Sequence, residues 1–190
     1  MNLQVRPLLF GIVSLLIAGS ALGADNSKKT VGRLFEQAAV TIARRTAVAV
    51  YVPVSLQSLD TYAQDGCSFA DANADRYEVA VYGRLTEYGQ TEPLPCEANQ
   101  AGLLGIIIGT VQPIPDLSKD PKARRLSLGN GAVAWFLPVS CGGSCAPASL
   151  YWQTTKASYV LQMKLASSVA ETEQREQLLR TANSLRLIGK

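Results

Sequence analysis

"RRLSLGNGAVAWFLPVSCGGSCAPASLYWQTTKASYVLQMKLA", residues 124–166, is the stretch that decides the fold. Four β-rich runs, 124–128, 132–139, 148–154 and 158–166, follow one another, joined by "GNG", the "CGGSC" loop and "TK". Connections this short between consecutive strands imply antiparallel hairpins, because a parallel crossover needs a dozen residues or more. By period two, Trp135 shares a face with Val133, Leu137 and Val139, and Trp152 shares one with Leu150, so both indoles are expected in the core. Tyr151 falls on the other face and is the better candidate for a ligand surface.

Working upstream, "LLGIIIGTV" (103–111) is an apolar run of strand length, expected in the middle of a sheet and buried on both faces. "DRYEVAVYGRL" (75–85) alternates Tyr77, Val79 and Val81 against Glu78, Ala80 and Tyr82, the pattern of a half-buried strand. "AVAVYVPV" (47–54) reads as a further strand stopped by proline, followed by an irregular connection. "VGRLFEQAAVTIARR" (31–45) places Leu34, Ala38, Val40, Ile42 and Ala43 on one side of a helix ending near Thr46. At the other end, "SSVAETEQREQLLRTANSLRLI" (167–188) reads as a helix with a Ser168/Glu171 capping box, an apolar stripe of Leu178, Leu179, Ala182 and Leu185, and a Glu171–Arg175 pair. "QPIPDLSKDPKARR" (112–125) is proline- and charge-rich, hence an exposed loop.

These elements predict an α+β fold: an antiparallel sheet of about five to seven strands with an N-terminal and a C-terminal helix packed on it. The early strand ending in proline, "YEVAVY", "GNGAVAWF", "YVLQMKL" and the closing "LLRTANSL" helix resemble, in that order, small exported proteins of uncharacterised function, many of them cyanobacterial. A PsbP-like sheet-and-helix sandwich is the fold this resemblance implies. It covers most of the chain after residue 23, rests on structural motifs and transfers no functional residue.

The opening "MNLQVRPLLFGIVSLLIAGSALGADN" has a basic Arg6, an apolar run from Leu8 to Ile17 and a small-residue site at Ala21–Gly23. It reads as a signal peptide over residues 1–23, cut after Gly23, since the run is shorter than the ~20 residues a spanning helix needs. Residues 24–30 then form a flexible segment and 31–190 a single domain with no stable membrane anchor, periplasmic or extracellular. Eighteen Lys+Arg against 15 Asp+Glu leave a formal +3, too small a balance to point to nucleic acid.

Four cysteines in an exported chain form an even set, the usual condition for disulfides. Three pairings are open; sequence order favours Cys67–Cys96 and Cys141–Cys145. In the chain-entropy picture closing those loops contributes roughly 3.6 and 2 kcal/mol. The alternative for "CGGSC" is a dithiol exchange or soft-metal site. Against exchange stands its place between two strands rather than at a helix N-terminus; against copper, the lack of histidine and the scarcity of methionine.

The chain contains no histidine. Ser-His-Asp and Cys-His catalysis, histidine-bearing zinc sites and imidazole acid–base chemistry are therefore closed, and no Ser-x-x-Lys spacing opens a serine–lysine route. Carboxylate pairs need no histidine, but nothing in the spacing of Asp65, Asp71, Glu78, Glu87, Glu92 and Glu97 brings two to a defined separation. Asp71, Asn73 and Asp75 stand at the first, third and fifth positions of a calcium loop, whose required glycine and closing glutamate are replaced by Arg76 and Tyr82. Lys119, Lys122, Arg124 and Arg125 could meet an anionic polymer. The functional expectation is an exported, disulfide-stapled, non-enzymatic binding or structural protein without a cofactor, meeting an envelope partner or ligand that the sequence does not identify; oligomeric state stays open.

Overall fold

The computed structural model describes residues 30–54, 56, 59, 66–83, 96, 102–142 and 144–189. The signal-peptide and flexible-segment readings, Thr30 apart, and the carboxylates Asp65, Glu87, Glu92 and Glu97 lie outside the described residues.

The fold is α+β. Its sheet has seven antiparallel strands in the order β2-β3-β4-β10-β9-β6-β5: β2 (Cys67–Asn73), β3 (Arg76–Tyr82), β4 (Leu103–Thr110), β10 (Ser158–Met163), β9 (Ala148–Gln153), β6 (Val133–Leu137) and β5 (Arg124–Ser127). Two ribbons stand apart from it: β1 (Val50–Pro53) with β11 (Leu185–Gly189), and β7 (Ser140–Cys141) with β8 (Cys145–Ala146). Helix α1 spans Val31–Ile42 and α2 spans Glu171–Asn183.

Both helices lie on one face of the sheet. The ring of Phe35 from α1 sits over Gly105, and Thr181 of α2 donates to the sulfur of Met163 at 3.5 Å; Gly105 and Met163 are cross-strand partners. The register carries this face across the sheet as Tyr77–Gly109–Tyr159–Trp152–Ala134 and Val79–Ile107–Leu161–Leu150–Phe136, two rows that with α1 and α2 form the core. Burying apolar side chains at roughly 1.5–3 kcal/mol each is what holds the layers together.

Two glycines are required by this packing. A Cβ on Gly109 would overlap the ring of Tyr77, its cross-strand partner, so the missing side chain is the socket for that ring. Gly131 closes the 128–132 turn at φ +81°, a conformation that costs a residue bearing a Cβ. That turn is fixed from outside as well, by the Gly129 amide donating to the Asn183 side-chain oxygen at the end of α2 (2.8 Å).

Several expectations are corrected. The sequence predicts no strand over 67–73 and a turn-rich connection from Asp71 to Arg76; β2 is instead an edge strand paired along its length with β3 through a two-residue turn at Ala74–Asp75. The carbonyls of that turn accept from Ala47 N–H and Val111 N–H, so the surrounding chain fixes what weak local β-propensity does not. The strand in 47–54 exists as β1 but belongs to the ribbon with β11. Val40 is 61% exposed, and α1 instead buries Val31, Phe35 and Ala39 beside Leu34, Ala38 and Ile42. Ser168 does not cap α2: the N-cap is Ala170, with no side-chain bond, while buried Gln174 accepts from Val139 N–H and donates to Val169 C=O. Glu171 pairs with Arg124 at 3.2 Å and not with Arg175, and Leu185 leaves the helix to begin β11. Strand β4 is buried on both faces over Leu104–Ile107, as its apolar run predicts, and opens to half-burial at Ile108 and Thr110.

Candidate functional site: the helix-free face and the CGGSC hairpin

Alternation gives the sheet a second face, and among the described residues no helix covers it. One registered row crosses all seven strands there: Asp71, Glu78, Ile108, Val160, Tyr151, Trp135, Arg125. Its four central side chains are half-buried, and Val133 beside Trp135 is 39% exposed. A parallel row, Phe69–Ala80–Ile106–Gln162–Ser149–Leu137, runs nearer the Cys67–Cys96 bridge. Within it Ala80, Ile106 and Ser149 are buried and the rest half-buried.

Trp135 is therefore not a core residue, which corrects the expectation for it; period two grouped it properly with Val133 and Leu137 but could not say which face the helices cover. Trp152 is buried as expected, stacked on Tyr159 with ring centroids 5.3 Å apart. Tyr159 in turn meets Tyr51 edge-on at 5.5 Å. Tyr77 donates to the Tyr51 carbonyl and accepts from the Tyr51 amide (3.3 and 3.1 Å), which ties the β1–β11 ribbon to the sheet. Burial pushes the Tyr77 phenol far above its ordinary value and that of Tyr159 up to about 12, so both stay neutral and serve as structural hydrogen-bonding groups. On the helix-free face, burial and the Glu78 carboxylate raise Tyr82.

The cysteines form two disulfides, Cys67–Cys96 and Cys141–Cys145. Cys141 and Cys145 face each other across β7 and β8, and both are exposed. Gly142 N–H donates to Ser144 C=O within the tip, and Lys122 Nζ donates to Ser140 Oγ at its base (3.1 Å). The first turn of α2 reaches the base of this hairpin, where the Gln174 side chain accepts from Val139 N–H (2.9 Å).

The four cations of 119–125 do not form one patch. Lys119 lies 3.9 Å from Asp116, Lys122 is on Ser140, Arg124 turns to Glu171 on the helix side, and Arg125 emerges on the helix-free face opposite Trp135. The Asp116 carboxyl is held below its ordinary value by the hydroxyl and amide of Ser118. Asp71 and Asn73 share the helix-free face of β2, with Asp75 in the turn beyond. Asp71 lies 3.5 Å from Arg45, and the Asn73 side-chain oxygen accepts from Asp75 N–H. Among the described residues no group of three or more Cys, Asp or Glu is placed to hold a metal. Asp71 and Glu78 are brought into cross-strand register, which spacing alone did not foresee, and each is answered by an arginine, Arg45 and Arg76 respectively. No helix among the described residues is long and apolar enough to cross a membrane.

No family model, no curated protein and no solved structure matches this chain.

Proposed function

We propose that the chain is an exported, disulfide-stapled, non-enzymatic binding or structural protein of the cell envelope, with the helix-free face as its interaction surface. The observation that carries this reading is the row Ile108–Val160–Tyr151–Trp135: four apolar or aromatic side chains in register, half-buried, on a face that no helix covers among the described residues. A contiguous apolar surface of this kind, rimmed by charge, marks interaction sites on soluble proteins. Export is supported by the leader-like residues 1–23 and by two disulfides, which persist in oxidising compartments. The absence of histidine argues against most hydrolytic and transfer chemistry.

Fluorescence tests the reading directly. In a Trp152→Phe variant Trp135 is the sole indole, and titration with peptidoglycan fragments, anionic vesicles or fractionated envelope protein should shift its emission. A spectrum unmoved by all three and by protein concentration, in a folded chain, overturns the assignment of the face. A second reading, thiol–disulfide exchange at Cys141–Cys145, is favoured by the exposure of both residues. Under a glutathione buffer a staple stays closed to alkylation, whereas an exchange site opens while the fold persists.

A further inference from the structure

We infer that the partner of the helix-free face is a second copy of this chain, docked face to face across a twofold axis parallel to the strands and centred on β10. This rests on the reading of that face as the interaction surface. The argument is the symmetry of the row itself. β10 is the middle of the seven strands, so such an axis lays β2 of one copy over β5 of the other. Asp71 then faces Arg125 of the second copy, Glu78 faces the indole of Trp135, Ile108 faces Tyr151, and Val160 meets itself on the axis. The acidic end meets the cationic end, the indole N–H meets a carboxylate, and the apolar centre meets itself.

The neighbouring rows obey the same operation: Gln162 meets Gln162, and Thr110 faces Gln153 of the second copy. Turning the axis perpendicular to the strands would set Asp71 on Asp71 and Arg125 on Arg125, so charge selects one isologous arrangement over the other. Arg125 makes no ion pair among the described residues. The Asp71–Arg45 pair, with side chains 63% and 57% exposed, is of the surface kind that contributes little and gives way readily.

Size sets the strength. Seven strands about 4.8 Å apart and roughly 20 Å long span ~600 Å² per copy, but Ala80, Ile106, Ser149 and Ser158 on this face are already buried within one copy, so the pair buries less than the ~1,200 Å² at the lower edge of specific interfaces. A concentration-dependent dimer in the micromolar range is expected rather than an obligate one. Two aligned sheets ~10 Å apart, as in β-sandwiches, provide the packing geometry.

Sedimentation of the oxidised chain recovered from an exporting host, from about 1 to 500 µM, should show the mass rising towards twice the monomer value. Asp71→Arg alone and Arg125→Asp alone should each weaken the dimer roughly tenfold, and the two together in one chain should restore it. Val160→Lys, which sets like charges on the axis, should abolish it; if that variant does not fold, the charge-exchange pair still decides. A chain monomeric at every concentration, a dimer indifferent to both single reversals, or a double variant no better than the singles overturns the inference. If the chain is monomeric but Trp135 responds to a glycan, vesicle or envelope protein, the second copy falls and the interaction face stands. If Trp135 responds to nothing either, both fall.

Discussion

Phe136 and Trp135 are consecutive residues of β6, bonded through the same ladder, yet they sit under opposite conditions: Phe136 is fully buried beneath the helix layer and Trp135 half-buried on the face that no helix covers among the described residues. The same holds for Leu161 and Val160 in β10. On the helix side, aromatic rings and aliphatic chains interlock, with Gly109 left bare to seat Tyr77. The other side carries charge at its two edges and apolar side chains in between. The contrast separates the face that carries the folding core from the face that the helices leave uncovered among the described residues.

Substitutions should break that contrast in graded fashion. Phe136→Ala should cost about 3–5 kcal/mol in denaturant unfolding, from lost burial plus a cavity the sheet cannot close. Cys67→Ser should lower stability by roughly 3.6 kcal/mol and Cys141→Ser by roughly 2, because the first bridge closes a much longer loop. Equal losses would show that the bridges do not act through chain entropy. Tyr77→Phe should cost about 1–3 kcal/mol by leaving the Tyr51 amide and carbonyl without their partner. Val160→Thr, at the centre of the helix-free face, should change monomer stability by no more than about 0.5 kcal/mol while weakening association. A large stability loss there would mean the face is already covered within one copy.

pH sharpens the same division. Tyr77 and Tyr159 titrate above the ordinary phenol value when folded, so the stability they contribute is complete below about pH 10 and is lost as pH rises through the folded values. Circular dichroism should show unfolding set in above pH 10, and Tyr159→Phe should move its midpoint upward.

Most strands were legible from alternation and hairpin spacing, because β3, β4, β6, β9 and β10 carry strong apolar or period-two patterns. Strand β2 was not: "CSFADAN" has little β-propensity and is held by its neighbour, its turn and α1. Nor was β11, since "LRLI" continues the helical stripe of α2 and changes state only where residues 185–189 find β1. The cysteine pairing followed from order along the chain. The candidate site was half legible. Tyr151 lay on the expected face, but Trp135 was assigned to the core, because two-residue periodicity sorts side chains into two sets without saying which set the helices will cover. The registered row from Asp71 to Arg125 exists only once the strand order is known.

The ribbon joining Val50–Pro53 to Leu185–Gly189 bears on how the protein is made. The clasp beside α1 cannot close until residues near 185 have left the ribosome, long after α1 itself. During synthesis the early segment is left open. A chain that stopped short of residue 185 would keep that segment unclasped, exposing unfinished copies to proteolysis.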